Sequence, residues 1–269
     1  MAAAKLTATA IQCRLGTQLA LNDISFTAEP GQLTGIIGTN GAGKSTLLSI
    51  LAGVQNNFRG SVSIGSKQLE QMTPHERARH IAYLPQNPQV HWNLSAQQVT
   101  ELGRVPYRRQ FNWLSPATAA DQQAVTAAMA ATQCEELARR PIQSLSNGER
   151  MRVHLARVLA VKAPIILVDE PTTGLDPYQQ IHCLEVLRDE ARQDGTVVMV
   201  LHDLDLAARF CDQLLLLHDK KVLSHGSPAE VLTPDNLLTA YRIKPPAEQA
   251  INSLNLANWQ RQNDGTDDF

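Results

Sequence analysis

Short apolar runs alternate with longer amphipathic stretches over most of the chain. Residues 6–11, 19–28 and 61–65 carry Val, Ile, Leu, Thr and Phe between Gly, Asn and Pro, which predicts an antiparallel layer near the start. LTGIIG (33–38) reads as a buried strand, and KSTLLSILAG (44–53) as a helix that Gly53 stops. SNGERMRVHLARVLA and QQIHCLEVLRDEAR predict helices, IILVDE and TVVMVLHD predict strands. LLLLHDKKVLSHG (214–226) predicts a hairpin turning at Asp219–Lys220. Repeated strand–helix units imply an α/β fold with a mainly parallel sheet and helices on both faces.

Between about residues 87 and 144 the composition changes. Ala and Gln dominate, and DQQAVTAAMAATQCEELARR (121–140) is a strong helix former. This predicts a helical subdomain (87–144) inserted between two parts of one nucleotide-binding core, 1–86 and 145–244. The remainder, 245–269, is polar, ends acidic and is expected to be a solvated tail.

A chain of 269 residues is long enough to bury a large core. Its 24 basic and 26 acidic side chains give a net charge of −2, which weighs against an electrostatic nucleic-acid binder. Cys13, Cys134, Cys183 and Cys211 show no metal-type spacing and read as reduced cytosolic thiols. The longest apolar runs, such as VVMVL (197–201), are strand-sized, whereas a membrane span needs about 20 such residues. The expectation is a soluble chain that reaches a membrane through a partner.

The chemistry begins at GTNGAGKST, that is Gly38, Thr39, Asn40, Gly41, Ala42, Gly43, Lys44, Ser45 and Thr46. The pattern G-x-x-x-x-G-K-[ST] lets backbone N–H groups close around phosphate oxygens, with the dipole of the following helix aimed at them. Lys44 is suited to reach the β/γ oxygens of ATP, and the Ser45 hydroxyl to ligate Mg²⁺. LVDE (167–170) closes a buried strand with two carboxylates. Asp169 is suited to hold Mg²⁺ through water, and Glu170 to polarise the attacking water as general base. Alone, such a pair is more often a helix cap or a solvated turn. The glycine loop upstream reverses those odds.

Three further residues fall at strand ends or turns. Gln86, in YLPQ, is placed to sense Mg²⁺ or the attacking water, and His202, closing VVMVLH, to contact the γ-phosphate. Either residue alone would read as a packed or solvated side chain. Asp176 in TTGLDP is also compatible with simple turn initiation before Pro177. LSNGE (145–149) opens a helix, and its local residues are explained by capping from Ser146 or Asn147.

In this order, GTNGAGKS, YLPQ, LSNGE, IILVDE, GLDP and LHD resemble the ATPase subunit of ABC transporters, over about residues 6–242. The resemblance implies a P-loop NTPase core that works as a head-to-tail homodimer with two sandwiched ATP molecules. It assigns catalytic roles to Glu170, His202, Gln86 and Asp176. It also implies that Ser146 and Gly148 bind the γ-phosphate held by Lys44 of the other chain. ATP would then close the dimer interface and hydrolysis would open it.

The chain departs from that pattern twice. Asn147-Gly148-Glu149 stands where the usual signature has Gly-Gly-Gln. Asn tolerates a left-handed backbone best after Gly, so Asn147 is compatible with a turn there, and Glu149 is expected to point away from phosphate. These subunits also commonly stack an aromatic ring on adenine, but QCRLGTQLALNDISF offers Arg14 and Leu15 and no ring at the matching place.

ELGRVPY (101–107) and the stretch after His202 are similar to importers of siderophore iron, haem and cobalamin. The resemblance therefore implies a subunit on the cytoplasmic face of the inner membrane. It would dock on membrane permease subunits and depend indirectly on a periplasmic or surface substrate-binding protein. Two rival readings are a zinc or manganese importer subunit and a soluble ABC-type ATPase acting on nucleic acid or ribosomes. The apolar residues Trp92, Leu94, Val99, Leu102, Val105 and Tyr107 are candidates for a permease groove or for the insert's own core.

Overall fold

A computed structural model describes residues 4–90, 92–108, 117–244 and 260–261. The first half forms β1 (Leu6–Leu15), β2 (Gln18–Ala28), β3 (Leu33–Gly38), α1 (Lys44–Leu51), β4 (Phe58–Ile64), β5 (Lys67–Gln68), α2 (Pro74–His80) and β6 (Ile81–Leu84). Then come α3 (Ala96–Glu101), α4 (Ala119–Ala131), α5 (Asn147–Ala160), β7 (Ile165–Asp169), α6 (Pro177–Arg192), β8 (Thr196–Val200) and α7 (Leu204–Phe210). The last elements are β9 (Gln213–His218), β10 (Lys221–Gly226), α8 (Pro228–Val231), α9 (Pro234–Tyr241), β11 (Ile243–Lys244) and β12 (Gln260–Arg261).

The central sheet runs in the order β10-β9-β3-β8-β7-β6, with every neighbouring pair parallel except the β9–β10 hairpin. Every residue of β3, β7 and β8 is buried, as strands covered on both faces must be, which explains their unbroken apolar runs. The antiparallel layer, β2-β1-β4-β5, is the predicted one and is longer than its apolar runs suggested. It alternates buried and exposed positions because only one face packs on the core. Leu6, Ile11, Leu21 and Ile24 from this layer close over α1 (Leu47, Leu48, Leu51) and one face of the central sheet. The other face packs Ile166, Val168, Val197 and Met199 against α5 and α6.

Two local expectations are corrected. The helix expected over 121–140 ends at Ala131, because Gln133 takes a left-handed backbone (φ 51°) and the Cys134 N–H turns back to the Met129 carbonyl. Asn147 is the first residue of α5 with helical backbone and has no positive φ, so its tolerance of left-handed geometry is not called on. The tail 245–269 lies outside the described residues except for Gln260–Arg261, which pairs antiparallel with Ile243–Lys244.

Between α3 and α4, residues 102–107 form a 3₁₀ turn that ties three elements together. Arg104, buried, pairs with Asp121 at 2.8 Å and donates to the Ala160 and Val161 carbonyls that end α5. A helix C-terminus offers unpaired carbonyls and negative dipole charge, both of which a guanidinium satisfies. Hydrogen bonds from Arg104 and Thr118 outweigh burial and hold the Asp121 carboxyl below its ordinary value. Tyr107 lies under the Arg104 guanidinium, 3.9 Å from it, so this ring packs inward.

Candidate active site

Parallel pairing sets the carboxyl ends of β3, β6, β7 and β8 at one edge of the sheet, where open α/β sheets bind ligands. Leu84 is registered with Val168 and Asp169 with Val200, so Gln86, Glu170 and His202 leave neighbouring strands at almost the same level. The Gln86 amide donates to Glu170 Oε2 at 2.7 Å, and the Thr173 hydroxyl donates to the same oxygen at 3.2 Å. His202 Nε2 contacts the other oxygen, Oε1. Burial raises the carboxyl's pKa, but the bonds from His202, Gln86 and Thr173 outweigh it and hold Glu170 below the ordinary range. Its backbone is left-handed (φ 52°), an unfavourable conformation for a side chain of this kind, held by the surrounding network.

The glycine loop leaves β3 at Gly38 and enters α1 at Gly43, with φ of 144° and 102°. A Cβ on Gly43 would meet the Ala20 carbonyl at 2.6 Å, and one on Gly38 the Leu217 carbonyl at 2.2 Å, so neither position takes a side chain. Lys44 Nζ donates to the Gly38 and Thr39 carbonyls at 2.8 and 3.1 Å. Burial lowers its pKa, while Glu170 and Asp169 oppose that shift. The Ser45 hydroxyl donates to Asp169 Oδ1 at 3.2 Å, and burial pushes the Asp169 carboxyl up. A glycine-rich loop at a helix start, with a lysine folded over it, fits a nucleotide's phosphates. One hydroxyl and one carboxylate oxygen fit Mg²⁺, which takes few protein ligands and shares substrate phosphates.

Most of these groups line one cavity of about 710 Å³. Its wall includes Asn40, Gly41, Gly43, Lys44, Ser45, Thr46, Gln86, Glu170 and His202. Leu15, Gln18 and Leu19 of the antiparallel layer also line it, with Leu15 48% exposed. Thr39 and Ala42 serve the loop itself: the Ala42 N–H donates to the Thr39 carbonyl at 3.1 Å. Asp176, Ser146 and Gly148, at the starts of α6 and α5, also lie outside this wall. Asp176 caps α6 by accepting from the Gln179 N–H at 2.9 Å. Ser146 caps α5, and Glu149 turns back onto the Ser146 N–H and onto Arg140. Gly148 faces α6 so closely that a Cβ would sit 2.2 Å from the Gln179 amide oxygen. Thr173, which braces Glu170, and Lys220, which lines the cavity, escaped the reading of the sequence. A threonine three residues past a carboxylate and a lysine in a hairpin turn carry no motif of their own.

A glycine loop at the end of a buried parallel strand, with a strand-end carboxylate pair beside it, defines a P-loop nucleotide-binding fold. Within that class the chain belongs to the ABC transporter family, whose model matches residues 21–173. It is 42% identical over 227 residues to the cobalamin import ATP-binding protein BtuD of Halobacterium salinarum, covering 84% of this chain. The chain spans only 56% of that relative's length. It is 40% identical to YusV of Bacillus subtilis, named for a siderophore transport system, covering 82% of this chain and 79% of the relative. The hemin import ATP-binding protein HmuV of Pseudomonas entomophila is 39% identical, covering 87% of this chain and 91% of its own. Among solved structures, one described as a metal-chelate type ABC transporter in an inward-facing conformation superposes with a TM-score of 0.77 and 26% identity. That match covers 90% of each chain. A dimeric bacterial ABC transporter cassette gives a TM-score of 0.73 with 25% identity, over 83% of this chain and 98% of its own.

Proposed function

We propose that this chain is the ATP-hydrolysing subunit of an importer, working as a homodimer on the cytoplasmic face of the membrane. Its cargo class is a metal chelate or corrinoid: siderophore iron, haem or cobalamin. The observation that carries the reading is the grip on Glu170 by Gln86, Thr173 and His202, beside the Lys44 loop and the Ser45–Asp169 pair. An ionised carboxylate, oriented at both oxygens, is what a general base for water attack requires. Mg²⁺, held by Ser45 and Asp169, would neutralise charge developing on the phosphates. The names of the relatives support the cargo class, and the dimeric cassette supports pairing of two copies.

In the paired state Ser146 and Gly148 would face the phosphate loop of the other copy, and Asp176 would lie at the same seam. The four-part organisation, with 87–144 as a helical subdomain, suits that arrangement. No helix among the described residues is long and apolar enough to cross a membrane, and the proposed transport path runs through membrane permease subunits. Trp92, Leu102 and Val105 are exposed by 72%, 39% and 51%, which supports them as the permease-facing patch. A substrate-binding protein outside the membrane would deliver the cargo. Phosphate release by the purified chain tests the enzymatic reading. ATP turnover that Lys44→Ala abolishes is expected, and turnover indifferent to that substitution would overturn it.

A further inference from the structure

Asp219 and Lys220 make the turn between β9 and β10 with φ of 47° and 66°. Two successive positive φ values define the tight hairpin turn that favours Asn-Gly or Asp-Gly. Glycine suits the second position because it has no Cβ to strain. The chain instead carries a lysine there. A side chain kept against the backbone's preference points to use of that side chain.

Its surroundings show what use is available. β9 pairs with β3 up to Gly38–Leu217, so the turn emerges beside the first glycine of the phosphate loop. The Lys220 ammonium donates to the Gly41 carbonyl, in the middle of that loop. Its own carbonyl accepts from the Asn22 N–H at 2.8 Å, fixing the turn to β2 and hence to the rim that carries Gln18 and Leu19. Lys220 lines the same cavity as Lys44, Glu170 and His202. An ammonium has three donors, and the Gly41 carbonyl occupies one.

We propose that Lys220 is a nucleotide-binding residue, a second cation that joins Lys44 in gripping the phosphate chain. The inference rests on the nucleotide-binding reading of this cavity. On the base side of the cavity the rim offers Leu15 and Leu19 and no aromatic ring, so phosphate contacts carry a larger share of affinity. A charge-assisted hydrogen bond at a half-exposed site changes affinity by about five- to tenfold.

The test is equilibrium binding of ATP and ADP, with Mg²⁺, to the full chain and to Lys220→Gly, Lys220→Met, Lys220→Arg and Lys44→Ala. Lys220→Gly and Lys220→Met are expected to weaken both nucleotides about five- to tenfold, with Lys220→Arg near native. Lys220→Gly also relieves the turn, so its nucleotide-free melting temperature is expected to match or exceed the native one. Native affinity is expected to fall more steeply than that of Lys220→Met between about 50 and 300 mM KCl, through screening. Binding within twofold of native in both the Gly and Met variants, with Lys44→Ala defective, overturns the role of Lys220. Weakened binding matched by a lowered nucleotide-free melting temperature in Lys220→Gly also overturns it, since the lysine would then only prop the loop. Undiminished binding in Lys44→Ala would instead remove the nucleotide-binding reading itself.

Discussion

The Gln86 amide donates to Glu170 Oε2 at 2.7 Å, across 84 residues of sequence. Gln86 also begins the stretch that leads to the exposed Trp92 and Val105. Under the proposed docking, a protein pressing on that stretch would act on the residue that holds the carboxylate.

Glu170→Gln keeps the side chain's shape and removes its basicity. A general base contributes about 10²–10⁴-fold, or roughly 3–5 kcal/mol of barrier. ATP binding should survive, steady-state phosphate release should fall by that factor, and an ATP-bound dimer should accumulate on size exclusion. Near-normal turnover would assign the base elsewhere.

Leu15 is half-exposed on the rim of the nucleotide cavity, where a ring would have room to lie. An aromatic–base stack is worth about 1 kcal/mol beyond burial, or roughly fivefold in affinity. The native chain should therefore discriminate weakly between ATP and GTP, and Leu15→Trp should bind ATP about fivefold more tightly. Competition binding measures both. A hundredfold native preference for ATP would show that other residues read the base.

Val105→Glu places a charge on an exposed apolar position. Whole-cell uptake should be lost while the purified variant keeps its ATP affinity and melting temperature. Uptake at the native level would locate the permease contact on another surface.

His154 in α5 is 3% exposed, and its Nδ1 has no hydrogen-bond partner among the described residues. Burial, with Arg157 and Arg150 nearby, lowers its pKa from 6.5 to about 4. Between those values the unfolded chain binds a proton at this position and the folded chain does not. Stability therefore falls as pH is lowered through that window, by as much as about 3 kcal/mol. The melting temperature of His154→Gln should vary less with pH over the same range. An equally steep slope in that variant would assign the effect to other groups.

The phosphate loop was legible in the sequence because its chemistry is local. Glycines at fixed spacing make the backbone cradle, and Lys44 and Ser45 follow within the same turn. The fully buried strands were legible for a similar reason, since only a strand covered on both faces reads as an unbroken apolar run. Local patterns also marked Gln86, Glu170 and His202 as strand-end residues, without saying that they meet.

What the tertiary structure decided was non-local. Strand order and register put the ends of β6, β7 and β8 side by side, which brings three separated residues onto one carboxylate. Burial separated Val99, which is fully enclosed, and Tyr107, which lies under Arg104, from Trp92 and Val105, which face outward; composition treated them alike. The position of Lys220 against Gly41 depends on β9 lying beside β3, although their sequences are far apart. Sequence periodicity reports which side of its own element a residue occupies. Which other element lies against that side is set by how the sheet is assembled.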